Sequence, residues 1–179
     1  MEQGDCVPRR LFWLLPLVFV VHDAEELATM PGWLAEHRAT LDALARQGGL
    51  AASVAASAPV TTARAAAAIG LVLSVLLLVT AGASSSRSRA WFYAYCSFLG
   101  LLFLHVFTHV AQALWFRSYV PGLLGAVFVL LPGTAFIYQR LFAARLLDGR
   151  TAIVTALCGF VLFVPGALAA WTLGRMLAG

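Results

Sequence analysis

The chain has 179 residues, 61% of them hydrophobic and only 11% charged, with a net charge of +4. A water-soluble globule carries about a quarter charged residues, so that class is excluded. All 12 basic residues are arginines. They stand at the ends of apolar runs instead of forming a patch, so no nucleic-acid partner is expected and retention of loops in the cytoplasm accounts for them.

Apolar runs of about 20 residues are long enough to cross a roughly 30 Å hydrocarbon core as helices. They predict an all-α polytopic transmembrane bundle of about five spans in the cell membrane, forming a single integral membrane domain over 1–179. The first span, 11–30, follows Arg9 and Arg10. Acids, not small residues of a cleavage site, come after its apolar core, so it is expected to be retained and stopped by Pro31-Gly32. Residues 33–48 carry Leu34, Leu41 and Leu44 at helical spacing among charges, the pattern of an amphipathic helix lying on the membrane interface. Segment 33–58 reads as a surface connector or as a lid over a site.

The remaining spans are expected at 64–82, 91–115, 120–142 and 152–173. Placing the N-terminus inside puts seven arginines on cytoplasmic segments and five outside, a bias in favour of that orientation. Cys6, Cys96 and Cys158 show no paired spacing, which argues against a disulfide framework or a thiolate metal site.

The first span holds the polar anomaly. In "VVHDAEEL", His22, Glu25 and Glu26 share a helix face at i, i+3 and i+4, and Asp23 stands aside. Trp13 and Trp33 bracket the motif as interfacial anchors about 30 Å apart. An acid at mid-membrane costs about 2.5–3.5 kcal/mol, while each large apolar residue returns about 0.3–0.6. Three acids therefore need compensation by protonation, water, hydrogen bonds or a cation, and they are not expected to face lipid.

The third span supplies partners in "LLFLHVFTHVAQALW", where His105 and His109 lie at i, i+4 and Gln112 extends their face. Spans one and three run in the same direction. Counted from Trp13 and Trp91, the glutamates and His105 lie at nearly the same depth, about 20 Å in. Thr108 and Gln112 are candidates for supporting hydrogen bonds, and His37 is expected to be merely solvated. Gly70, Gly100 and Gly125 read as helix-packing positions.

Imidazole and carboxylate groups on adjacent turns suit a divalent cation. The ligand set His22, Glu25, Glu26, His105 and His109, lacking soft sulfur, favours zinc, iron or manganese over copper(I). Two chemistries follow. One is a membrane enzyme acting on a lipidic or apolar small molecule, in which a metal activates water and Glu26 serves as base, or Glu25 and Glu26 share a proton without metal. The other is transport of a proton or divalent cation by the same residues. Haem ligation by histidine is awkward beside buried acids, and purely structural polar packing is the bland alternative.

"HDAEE" in a first span resembles the family of small bacterial integral membrane proteins named for its HXXEE motif, with His22, Glu25 and Glu26 at the named positions. Histidines on a later helix, here His105 and His109, are similar to that family. The resemblance implies membrane localisation and a shared polar site, and it carries no established reaction.

Overall fold

The computed structural model describes residues 7–47 and 62–162, and within them every regular element is helical. After a short 3-10 turn at Arg9–Leu11, helix α1 runs Leu14–Gln47, α2 Thr62–Ser85 and α3 Arg89–Phe116. Helix α4 spans Leu123–Ala143, and α5 is described over Gly149–Leu162. The C-terminal part of the expected fifth span lies outside the described residues.

By length and composition α2, α3 and α4 qualify to cross a membrane. Helix α1 is longer than any of them but carries the acids of the motif. The bundle's exterior supports this reading. Leu78 is 61% and Phe128 71% exposed, whereas His22 is 1% exposed. Large apolar side chains on the outside, with the few polar groups such as His22 turned inward, are the arrangement a lipid solvent selects.

Helix α1 continues through Pro31-Gly32, where the sequence led us to expect a stop. A proline within a helix removes one N–H and crowds the carbonyl four residues back, which bends a helix without always ending it. At 34 residues, α1 is about 51 Å long, more than a hydrocarbon core needs. The amphipathic segment is thus its direct extension. That extension is tied down: His37 stacks on Trp33 with ring centroids 4.3 Å apart. Its Nδ1 donates to the Trp33 carbonyl at 3.0 Å, and its Nε2 lies 3.2 Å from Ser118 Oγ. His37 is therefore a tether to the α3–α4 loop, not a solvated bystander.

Helix α1 packs against α2 and α4, and these two in turn pack against α3. Helices α1 and α3 consequently stand diagonally across the bundle. Close approach elsewhere uses small residues: a Cβ on Gly100 would lie 2.5 Å from Ala156 of α5, as its packing role requires. At Gly70, by contrast, such an atom would meet nothing within 4 Å among the described residues.

Helix α4 contains a π turn over Ala126–Leu130, with the Leu131 N–H reaching the Ala126 carbonyl five residues back. Pro132 follows immediately. It has no N–H for the carbonyl of Phe128 and clashes with it in α geometry, a conflict that a π turn relieves.

Asp148 starts α5, accepting from the Thr151 N–H at 2.9 Å and the Thr151 hydroxyl at 2.8 Å. These bonds to the Thr151 backbone and then its side chain hold the Asp148 carboxyl below the usual range. A carboxyl lowered by folding adds stability above its ordinary pKa, and that stability is lost as pH falls through the lowered value. Amide exchange at Thr151 and Ala152 is therefore expected to lose protection on acidification, and an Asp148→Ala chain should lack that pH-dependent step.

Candidate metal centre

A buried pin sets the register between the diagonal helices. The Tyr95 hydroxyl donates to the Phe12 carbonyl at 3.2 Å, and the Tyr95 ring meets Phe12 edge-on at 4.9 Å. His22 and His105 each lie ten residues beyond this pin, about 15 Å along parallel helices. The two histidines are therefore level, and side chains from α1 and α3 meet in the centre of the bundle.

Four of them converge. His22, Glu26, His105 and His109 each direct a ligand atom into one group, with all four atoms within 4.8 Å of one another. The Nε2 atoms of His105 and His109 are 2.9 Å apart. Glu26 Oε2 lies 3.6 Å from His22 Nε2 and 3.9 Å from His109 Nε2. Ligands about 2.0–2.1 Å from a metal such as zinc stand about 3.0 Å apart at right angles and about 3.4 Å apart at tetrahedral angles. The 2.9 and 3.6 Å separations lie near that pattern, and the wider pairs would have to draw together to complete it.

Proton positions favour the same use. The Thr108 hydroxyl donates its one proton to the His105 carbonyl at 2.7 Å. It must then accept from His105 Nδ1, 3.0 Å away, because a hydroxyl has a single hydrogen. His105 Nε2 is left with a lone pair aimed at the group, the outer-shell arrangement of metal-bound histidines.

His22 is buried with neither ring nitrogen hydrogen bonded, and His109 Nδ1 is in the same condition. The carbonyls of Gly122 and Pro121 face the His22 and His109 rings, but neither closes a hydrogen bond. Leaving such groups buried and unpaired costs about 1–3 kcal/mol each. A cation accepting the three imidazole lone pairs removes part of that cost.

The two glutamates of the motif have different partners. Glu26 joins the histidines, whereas both oxygens of Glu25 are taken: Tyr119 donates its hydroxyl to Oε1, and the Gly125 N–H donates to Oε2 at 2.5 Å. Of the five residues expected as one ligand set, the structure thus brings four together and gives Glu25 to the loop beside them. Gln112 is exposed and contributes nothing to the group.

That loop was not foreseen as part of the site. Arg117, in the left-handed region at φ 49°, ends α3, and Gly122 at φ 81° begins α4. A Cβ on Gly122 would sit 2.8 Å from His109 Cε1 and 2.9 Å from His22 Cε1. On Gly125 it would sit 2.8 Å from Glu25 Oε2 and 3.2 Å from His22 Nδ1. Gly125 is accordingly part of the site's wall as well as a packing position. The one legible signal was "PGLLG", a Pro-Gly turn with a second glycine three residues on.

A family model described as a protein of unknown function with HXXEE motif matches residues 13–137, the greater part of the chain. The chain belongs to the HXXEE family. Its match covers α1, α2, α3 and most of α4, which carry the four converging residues and the loop beside them, and stops short of α5. In this member of the HXXEE family the named residues are His22, Glu25 and Glu26, and their first and last positions enter the converging group. Neither a curated protein nor a solved structure matches the chain.

Proposed function

We propose that the protein is a multi-pass cell-membrane protein, N-terminus inside, in which His22, Glu26, His105 and His109 hold one divalent ion. The carrying observation is the convergence of three imidazole nitrogens and one carboxylate oxygen in a buried layer, with neither His22 ring nitrogen closing a hydrogen bond of standard geometry among the described residues. Three nitrogens and one oxygen, without sulfur, suit zinc, iron or manganese.

In this reading the protein is an enzyme for an apolar or lipidic small molecule. A bound ion supplies Lewis acidity or an activated water. Glu26 acts as a ligand, and Glu25 acts as a positioning residue that fastens the Tyr119–Gly125 segment over the histidines. Transport of a proton or a divalent cation through the same residues is the alternative. It is less well supported, because the buried acids and histidines among the described residues, His22, Asp23 and His109, form one layer and not a file across the bundle.

The test is metal content by plasma mass spectrometry on detergent-purified chain. Near-stoichiometric zinc, iron or manganese is expected in the natural sequence, with almost none in His22→Ala or His105→Ala chains that still unfold cooperatively. A natural chain that is metal-free, and takes up none of the three ions on incubation, sinks the reading.

A further inference from the structure

The converging group does not fill the space on its α2 side. A cavity of about 200 Å³ lies there between α1, α2 and α3. On α1 its wall is Phe19, Asp23, Glu26 and Met30, spaced four, three and four apart and therefore one stripe of the helix. On α2 the small side chains of Ala65 and Ala68 leave the volume open. On α3 the wall runs from Phe98 to His105. His22, Glu26 and His105 belong to both the wall and the group, so the cavity opens directly onto the candidate metal centre.

Asp23 is the unexplained residue of this wall. It is 8% exposed, and its Oδ2 has no hydrogen-bond partner. An unpaired buried carboxylate oxygen is costly, and a donor supplied by a ligand recovers that cost. The rest of the wall is largely hydrocarbon. The volume exceeds the roughly 150 Å³ of an engineered apolar cavity that binds benzene, which is room for a short length of alkyl chain.

We propose that this cavity binds an alkyl chain ending in a neutral hydroxyl, with the hydroxyl donating to Asp23 and the chain running toward Phe19, Val72 and Phe98. No arginine among the described residues lines the cavity to pair with a carboxylate head, and burying that charge unpaired is costly. The assignment as substrate rests on the metal reading, and so does the exclusion of an ammonium head, which a neighbouring divalent ion repels. Binding of the alcohol does not depend on that reading. Asp23 thereby becomes the specificity-determining residue of the site.

The test is photolabelling of the full chain in phosphatidylcholine nanodiscs with a diazirine-bearing decanol and, separately, its methyl ether. Mass spectrometry locates the labels, and metal content is measured on the same preparations. The alcohol is expected to label the Phe19, Val72 and Phe98 segments about five-fold more than the ether, the effect of one buried hydrogen bond. Asp23→Leu should erase that preference. Ala68→Phe, or Leu101→Trp if the first does not fold, should remove cavity labelling by both probes while metal content stays unchanged.

Equal labelling by alcohol and ether in the natural chain overturns the proposal. Labels spread over lipid-facing Leu78 and Phe128 and indifferent to Ala68→Phe overturn it too. Selective labelling of a chain that binds no metal upholds the cavity and removes the metal reading. A metal-loaded chain with diffuse labelling does the reverse.

Discussion

A Gly122→Ala chain is expected to be destabilised by about 2–5 kcal/mol and, under the proposed metal reading, to bind no metal. Two effects add at this position. Gly122 has φ 81°, and an L-residue in the left-handed region costs about 1–2 kcal/mol. The new methyl would also stand 2.8 Å from His109 Cε1, 2.9 Å from His22 Cε1 and 3.3 Å from Glu26 Oε2, and such overpacking costs about 1–3 kcal/mol. Three of the four converging residues must move to admit it. Thermal unfolding should fall by about 4–20 °C, from about 2–4 °C per kcal/mol for a chain of this size. Gly32→Ala is the control: a Cβ there meets nothing within 4 Å, and glycine within a helix already costs about 0.5–1 kcal/mol relative to alanine. A Gly122→Ala chain with unchanged metal content and midpoint would show that the loop does not press on the histidines.

The two adjacent glutamates are expected to fail in opposite ways. Under the proposed metal reading, Glu26→Gln exchanges an anionic ligand for a weak amide, so metal content should collapse while the metal-free chain unfolds near its original midpoint. Glu25→Ala leaves the Gly125 N–H and the Tyr119 hydroxyl without their shared acceptor. Hydrogen bonds to a charged group contribute about 1.5–3 kcal/mol each; because Tyr119 is 37% exposed and its bond is weakened by solvent, losing both should cost about 2–4 kcal/mol even without metal. Metal affinity should then fall only by the about 10–100-fold typical of an outer-shell residue. Glu25→Gln should be mild, because its amide oxygen accepts from Gly125 and its amide nitrogen donates to Tyr119. Unfolding midpoints with and without added zinc separate these outcomes. Equal metal loss in Glu25→Gln and Glu26→Gln would mean that both carboxylates serve the ion.

Much of the site was legible because helical periodicity is local. Spacings of three and four place His22 and Glu26 on one face, and His105 and His109 on another, whatever surrounds them. Two parallel helices with comparable starting points also allow depth to be counted, and the Tyr95–Phe12 contact supplies the physical pin for that count. The division of labour between Glu25 and Glu26 was not legible. Both share the His22 face, and their fates depend on Tyr119 and Gly125, about a hundred residues away. Asp23 was set aside for the same reason: one position around the helix from His22, it faces a cavity that exists only because α2 presents Ala65 and Ala68 there.

Composition and hydrophobic run length, acting on the sequence alone, determine an all-helical membrane bundle, since hydrocarbon admits a backbone only when its own hydrogen bonds are closed. The sequence also determines that an HXXEE face and an HxxxH face exist, because their periodicity is a property of single helices. Tertiary structure decides which of those side chains meet. Helices α1 and α3 lie diagonally, the turn at Pro121-Gly122 folds over their histidines, and Gly125 draws Glu25 out of the group. These contacts depend on distances between segments remote in the chain, and those distances arise only when the bundle packs.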